Sequence, residues 1–493
     1  MDLNELLELS TEEFAAAFLG LGDDPFNYGM QYDPLLHDIH NKVLRPDKII
    51  RKPDPENPGT ADSPNLITAN VKVSRLSIPL QKFIVKLRAQ FLVGNPIQLD
   101  CSPASDQDRS MLEGVQKLWD DNKLDYKSKF IAKLLFSECE VAELWYADDN
   151  LYNYWQGTTL ENVVRQSPAG ETITNGKIPV KFRMRVLARS LGDTLLPMFD
   201  DTGDMIAFGR LFETGSTERL DIYTSTDVWQ ASREKGKDQT WSFEDPISHG
   251  FNKIPVIYYA QDQPEWFDVQ PLIDRLETLI SNNADTNDYF GSPTAVASGN
   301  ILSYADKGES GKMVQLENGA KMEYLVWEAV PESIKMEVET LMKLIYSMTS
   351  TPNISFEEMK GLGTYSGLAL KMLFMSAHME ASDKEEIFGE CVQRRINLLK
   401  QFISVAAVTL KPALNMRIKP KFTYYLPKDD KQELDNITTA LDAGILSNDS
   451  AVRLNPLVEY ADDEIKALKK EQKATTEVKP PAQLPQPGLA IAQ

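Results

Sequence analysis

The chain has 493 residues, 42% of them apolar and 25% charged, and a formal net charge of −21. At ~100–200 residues per domain that length predicts about two to four units, and the composition is that of an ordered globular chain. The acid excess argues against tight, nonspecific nucleic-acid binding, which needs clustered Lys and Arg, but not against DNA passing close by without sticking.

Cys101, Cys139 and Cys391 lie far apart with no C-x-x-C, which reads as reduced thiols in an intracellular protein. The opening "MDLNELLELSTEEFAAAF" has no basic region of a secretory signal, and no apolar run approaches the ~20 residues of a membrane span. A cytosolic product, or one assembled from cytosolic parts, is expected.

Residues 1–50 read as helical pieces, followed by the proline-rich loop "RKPDPENPGTADSPN" at 51–65. Phe83, Leu87, Phe91 and Leu92 share a helical face that Gly94 and Asn95-Pro96 bring to an end. Two more helices are predicted at 108–121 and 126–138. From Val141 to Ala260 short runs such as "VAELWYA", "KFRMRVLA" and "IPVIYYA" alternate with turns such as "DDTGD", which predicts a mostly antiparallel sheet.

Val269, Leu272, Ile273, Leu276, Leu279 and Ile280 then form an i, i+3, i+4, i+7 stripe over 268–290, with Asp268 placed to cap the helix and Pro271 tolerated in its first turn. Its later half, "SNNADTNDY", is polar all round and is expected to face water. In "KMVQLENGAKMEYLVW" (312–327) Asn318-Gly319 sits between two apolar runs, a strong hairpin signal. A helix at 331–349 is expected to bury Ile334, Val338, Leu341, Met342, Ile345 and Met348. A glycine-rich stretch follows, then a helical pattern from Ser366 to Leu410, with Ile387, Cys391, Val392, Ile396, Leu399 and Ile403 in one stripe and Gly389 able to permit a bend. "RIKPKFTYYLP" (417–427) reads as a strand returning to an earlier sheet. Short helices are predicted at 429–443, 448–453 and 461–472, and a disordered tail at 473–493.

Catalytic chemistry is poorly supported. Gly361, Gly363 and Gly367 give G-x-G-x-x-x-G after a helix, where the dinucleotide fingerprint needs G-x-G-x-x-G after a strand. "GESGK" at 308–312 lacks the spacing and the Ser/Thr of a phosphate loop. His37 and His40 read as surface histidines without a metal set, so neither a metal nor a cofactor is expected. Asp285 and Asp288 are either a solvated face or the lining of a water-filled passage. Two helices of about 20 residues bracketing a hairpin would expose apolar stripes unless neighbouring subunits covered them.

Four blocks resemble the portal proteins of tailed bacteriophages, in their SPP1-type branch: "FLVGNPIQ" (91–98), "FNKIPVIYY" (251–259), "DVQPLIDRLETLISNNADTNDYFGSPTAVASG" (268–299), and a fourth running from "TPNISFEEMKGLGTYSGLALKMLF" to "KEEIFGECVQRRINLL" (351–399). "LDAGILSNDSAVRLNPLVEYADDEIKAL" (441–468) fits the ending of that family. Where many relatives carry a glycine after the helix near 138, this chain has Glu138-Cys139-Glu140.

The resemblance implies an α+β portal fold that assembles as a ring, typically of twelve subunits, at one capsid vertex, without catalytic activity. Residues 1–264 become a wing, joined by the strand at 417–427. Residues 265–290 and 331–350 become stem helices and 291–330 a clip. Residues 351–365 become a tunnel loop, 366–410 a long kinked helix and 429–472 a crown. Double-stranded DNA would pass through the channel, driven by a separate terminase. In the tunnel loop Asn353, Ser355, Phe356, Glu357, Glu358, Met359, Lys360, Gly361, Leu362 and Gly363 would face it. Asp285 and Asp288 are the channel-facing stem candidates. Gln315, Asn318, Gly319 and Lys321 are the clip candidates for docking the terminase large subunit and head-completion or adaptor proteins. Major capsid and scaffolding proteins would be further partners, with no membrane, and the protein would sit in the virion after assembly in the host cytoplasm. The reading that stays open beside it is a nucleotide- or phosphate-binding enzyme using residues 361–367.

Overall fold

The computed structural model describes residues 5, 9–21, 27–57, 59–60, 63–148, 154–155, 157–160, 165–166, 172–173, 181–236, 240–290, 294–298, 301–303, 315–316, 321–325, 331–353, 372, 374–424, 430–458 and 461–476. The chain divides into two compact units, one of residues 1–353 and 375–425, the other of 354–374 and 426–493.

The first unit opens with α1 (Thr11–Leu19), started by a capping box in which Ser10 and Glu13 satisfy each other's backbone N–H groups. Strands β1 (Lys48–Pro53) and β2 (Leu66–Val71) pair antiparallel around the proline-rich loop, a hairpin that the sequence reading took for loop and helix. Helices α2 (Leu80–Val93), α3 (Asp106–Asp121) and α4 (Leu124–Glu138) follow as predicted, with β3 (Gln98–Asp100) between the first two.

Among the described residues the antiparallel region resolves into two main sheets and a separate two-stranded pair, Arg165–Gln166 with Thr172–Ile173. In one, β4 (Glu140–Asp148) lies between β5 (Lys181–Leu187) and the later strand β11 (Val256–Ala260). The other is a meander of β6 (Asp193–Phe199), β7 (Met205–Thr214), β8 (Thr217–Tyr223), β9 (Asp227–Glu234) and β10 (Ser242–Phe243). Phe14 and Phe18 of α1 cover this meander, and Gly209 permits the approach, since a Cβ there would stand 2.8 Å from the Phe18 ring.

Helix α5 (Gln270–Phe290) begins after a 3-10 turn, Phe267–Val269, so Asp268 lies inside that turn rather than at the helix cap. Its apolar stripe is buried by this chain alone: Val269, Ile273 and Leu276 have no exposed surface. The expectation that neighbours must cover that stripe is therefore corrected. Beyond α5, β12 (Thr294–Ser298) pairs with β15 (Lys321–Leu325), and β13 (Ile301–Ser303) pairs with β14 (Gln315–Leu316). Asn318 and Gly319 lie outside the described residues; the described strands on either side of them, β14 and β15, pair with β13 and β12.

Helix α6 (Pro331–Met348) buries Leu341 and Ile345 and half-buries Ile334, Val338 and Met342, whereas Met348 is 59% exposed, against expectation. Helix α7 (Met375–Ala406) runs through Gly389, where an ideal Cβ would stand 3.5 Å from the Phe422 ring. It gives way to a 3-10 segment, Val408–Asn415, that accommodates Pro412. The returning strand is real but short: β16 (Lys419–Lys421) pairs with β3. In the second unit the three predicted helices form as α8 (Asp430–Asp442), α9 (Asn448–Leu454) and α10 (Ala461–Thr476), with Ser447 capping α9 and Lys469 paired to Asp449 at 2.6 Å.

The main core joins α2, α3, α4, the β4 sheet, α5 and α7. At its centre Arg395 and Glu143 are both fully buried. Arg395 Nε donates to Glu143 at 3.0 Å and Nη1 to Ser128 Oγ at 3.0 Å, while Tyr259 Oη and Trp145 Nε1 donate to Glu143 at 2.5 and 3.1 Å. A buried ion pair is tolerable only when its remaining donors and acceptors are met in this way.

Candidate functional site at the base of the 354–371 segment

Residues 354–371 and 373 lie outside the described residues. They include Ser355, Phe356, Glu357, Glu358, Met359, Lys360, Gly361, Leu362 and Gly363; Asn353, which is described, is exposed. What is visible is how the chain enters and leaves this segment. The chain enters it from the end of α6.

Four elements meet at its two feet. Arg88 on α2 donates through Nη2 to the Thr349 carbonyl at 2.9 Å, through Nη1 to Glu265, and stands 3.1 Å from Glu380 on α7. Lys384, one turn further along α7, reaches the other Glu265 oxygen at 2.7 Å, and Gln261 Nε2 donates to that same oxygen at 3.2 Å. The Ser350 hydroxyl donates to Glu380 at 3.3 Å, and the Thr349 hydroxyl donates to the Ile345 carbonyl at 2.7 Å. Ser350 adopts φ 50°, a left-handed residue that ends α6 sharply.

Glu265 and Glu380 thus clamp the outgoing and returning chain through one guanidinium. Arg is suited to this because its planar fork offers several donors in fixed directions. The Glu265 side chain is 1% exposed, and both cations sit on it, so the cluster works at low local dielectric.

Nearby, Cys139 ends α4 in the left-handed region at φ 68°, at the position where the resemblance expects glycine. Burial, followed by the charge of Glu265, pushes its thiol up to about 12. It lines a cleft of about 840 Å³ with Tyr28, Tyr32, Lys133, Glu140 and Tyr258.

The two stem candidates differ. Asp288 is exposed. Asp285 accepts from the Ser74 amide at 2.6 Å and from Arg45 at 3.1 Å, so α5 is not solvated all round there. Burial pushes the Asp285 carboxyl up, but the Ser74 bonds, with Lys48 and Arg45, outweigh it and hold the group below its ordinary range. His37, expected at the surface, is buried, and its Nδ1 lies 2.7 Å from Glu277 on α5. Gln315 lies on β14 and exposed Lys321 on β15. Among the described residues no three His, Cys, Asp or Glu side chains converge on a metal position, and no helix is long and apolar enough to cross a membrane.

The feet of the segment and the buried Arg395 pair were beyond sequence reasoning. Arg88 and Lys384 look like ordinary surface charges on amphipathic helices and Glu265 like one in a turn, and nothing local brings them together. The only local sign was the polar pair Thr349-Ser350 at the end of an apolar stripe.

The sequence matches the family described as phage portal protein, SPP1 Gp6-like, over residues 67–478. No curated protein matches the chain. Among solved structures it is similar to a chain of the "neck of empty GTA particle computed with C6 symmetry", at 11% identity and TM-score 0.42, covering 77% of this chain and 90% of that one. It is also similar to a chain of the "virion of native gene transfer agent (GTA) particle", at 12% identity and TM-score 0.35, covering 76% of this chain and 89% of that one.

Proposed function

This chain belongs to the phage portal protein family, and from that membership we propose that it forms a ring at one capsid vertex through which double-stranded DNA is packaged and ejected. The observation that carries the reading is the family match, which spans α2 to α10 without a break. The family is structural rather than enzymatic, so the ring conducts DNA while a separate terminase supplies the work.

In this reading residues 1–264 with 417–427 are the wing, 265–290 and 331–350 the stem, 291–330 the clip, 351–365 the tunnel loop and 429–472 the crown. The clip, beyond the ends of both stem helices, meets the terminase large subunit during packaging and head-completion proteins afterwards. The wing and crown meet the capsid and scaffolding proteins.

The clamp of Arg88, Glu265, Glu380 and Lys384 gives the tunnel loop fixed feet, so that backbone adjustment is confined to the segment holding Gly361 and Gly363. Glycine changes φ and ψ without a Cβ penalty, which suits an element that adjusts as DNA moves past. Lys360 is the one cation among residues 353–364, beside Glu357 and Glu358, so each subunit offers the DNA a single weak phosphate contact that salt screens further. The acidic balance of the chain keeps the channel from gripping phosphate.

The test is DNA packaging in vitro by procapsids carrying Gly361→Pro with Gly363→Pro. Rings should assemble and packaging should slow or stop short. Wild-type rate and full-length packaging would remove the loop from the mechanism.

A further inference from the structure

Residues 74–78 lie along α5 as a strap. The amides of Ser74, Leu76 and Ile78 face the helix together, as alternate residues of an extended chain do. They donate to Asp285 Oδ1 at 2.6 Å, Ser281 Oγ at 2.9 Å and Glu277 Oε1 at 2.8 Å. Two extended residues advance about 6.6 Å and four helical residues about 6 Å. Alternate amides therefore stay in step with the i, i+4, i+8 row Glu277, Ser281 and Asp285, and the strap closes on α5 like a zipper.

The two ends of this row are built differently. At Glu277 the strap runs into α2, whose Leu80 and Ile84 share the main core with Ile273 and Leu276 of α5. His37 Nδ1 lies 2.7 Å from the Glu277 oxygen that Ile78 bonds, and these two side chains are 2% and 1% exposed. His40 Nε2 lies 3.1 Å from Ser77 Oγ beside them. At Asp285 the fastening is polar. Ala284 is the one apolar residue of α5 between Ser281 and Asp288. Val73, buried next to Ser74, belongs to none of the core clusters among the described residues. Asp285 is held by Arg45 at 3.1 Å, with Lys48 at 3.8 Å, and Arg45 also donates to Asn282 at 2.9 Å.

Beyond the Asp285 end the chain is braced to itself. Arg45 Nε donates to the Ser74 carbonyl at 3.0 Å, and Arg75 donates to the Arg45 carbonyl at 2.7 Å and to Asp47 at 2.9 Å. From this base β1 and β2 pair without a break, from Lys48 with Val71 to Pro53 with Leu66. None of these bonds involves α5.

We infer that Asp285 is the latch of a hinged arm. The strap opens from Ser74 while Ile78 stays bonded to Glu277, and the braced base carries the β1–β2 ribbon away from α5 as one body. Its hinges fall at Leu76 and between His40 and Arg45. The order of opening follows from the chemistry. The Asp285 contacts are ionic and reached by salt, whereas a fully buried pair is screened much less. Parting Ile78 from Glu277 would also pull on the start of α2 and its core. The inference concerns the single subunit and does not depend on the ring. It makes Asp285 a fastening for the arm rather than a charge free to line a channel.

The test is amide hydrogen exchange of the full chain, read to single residues by fragmentation in the mass spectrometer. Asp285→Asn keeps an acceptor for Ser74 and removes the charge. Ser74 should lose protection by roughly tenfold, the difference between a bond to a charged and to a neutral acceptor. Leu76 should lose less, and Ile78 and the β1–β2 ladder nothing. In the unaltered chain, raising salt from ~0.01 to ~1 M shortens the screening length from ~30 to ~3 Å, which should loosen Ser74 and leave Ile78 unmoved. Unchanged exchange at Ser74 in both experiments overturns the latch. Equal loss at Ser74, Leu76 and Ile78 overturns the hinge, because the row then opens as a whole. Loss along the β1–β2 ladder overturns the movement of the arm as one body. Should Asp285→Asn not fold, the salt response of the unaltered chain decides alone.

Discussion

Replacing Arg88 with methionine keeps most of the side chain's apolar stem and removes its guanidinium from the base of the 354–371 segment. The bond to the Thr349 carbonyl, 2.9 Å long and made by a charged donor, is worth about 1.5–3 kcal/mol. Glu265 loses one cation but keeps Lys384 at 2.7 Å, so the change stays below the ~3–5 kcal/mol of a fully orphaned buried charge. A loss of about 2–3 kcal/mol at this site follows. Because the broken contacts hold the end of α6 to α7, the loss should show as local opening. The amides of Thr349, Ser350 and Thr351 donate to Ile345, Ser347 and Tyr346 at 3.1, 3.2 and 2.9 Å. Hydrogen exchange followed by mass spectrometry over residues 345–353 should show these amides losing roughly 10- to 100-fold in protection, at ~1.4 kcal/mol per tenfold. Arg394→Ala is the control, since its pair with Glu390 is an exposed i, i+4 contact worth at most about 0.5 kcal/mol. Unchanged exchange in Arg88→Met, or an equal effect from Arg394→Ala, would refute the clamp.

Arg395→Met should destabilise the first unit by about 3–5 kcal/mol in urea titrations, because it leaves Glu143 charged and buried, whereas Arg395→Met with Glu143→Leu should recover most of that loss. Cys139→Gly should raise Tm, by the equivalent of ~0.5–1 kcal/mol, because the left-handed φ of 68° strains any residue with a Cβ; a lower Tm would place the thiol's packing above its backbone strain. His249 donates through Nε2 to the Thr224 carbonyl at 3.0 Å and accepts the Phe251 amide at Nδ1, so the neutral ring fits the fold, and burial lowers its pKa further than the Thr224 bond restores it. With the folded value below the unfolded value of ~6.5, stability is present above pH ~6.5 and is lost as pH falls through the folded pKa. His249→Gln should flatten the slope of Tm between pH 7 and 5; an unchanged slope would assign it to other groups.

The helices were legible where apolar periodicity and end signals agreed. Gly94 with Asn95-Pro96 stops α2 one residue after Val93, and the three helices of the second unit begin and end within a few residues of their predicted bounds. Pairing between distant strands was harder to read. "KIIRKP" and "LITANV" have β-branched content, but the prolines between them drew the eye to the loop rather than to the ribbon that encloses it. The strands flanking Asn318-Gly319 pair with earlier ones, β14 with β13 and β15 with β12, partners that a local turn signal does not name. The clamp residues Arg88 and Glu265 are 177 positions apart, and Arg395 and Glu143 are 252 apart. Periodicity reports which face of a helix is buried, but not which distant charge waits there. The tunnel-loop and clip residues rest on the family resemblance, since no local rule marks a contact with passing DNA.

The most direct measurement is electron microscopy of the purified full-length chain, with class averages taken end-on and from the side at several ionic strengths and concentrations. A DNA-conducting portal should appear as a closed ring, typically twelvefold, with a central channel wide enough for duplex DNA. Side views should show a broad wing above a narrower stem. Particles that stay monomeric under every condition, or that form closed oligomers with no axial channel, would contradict the account.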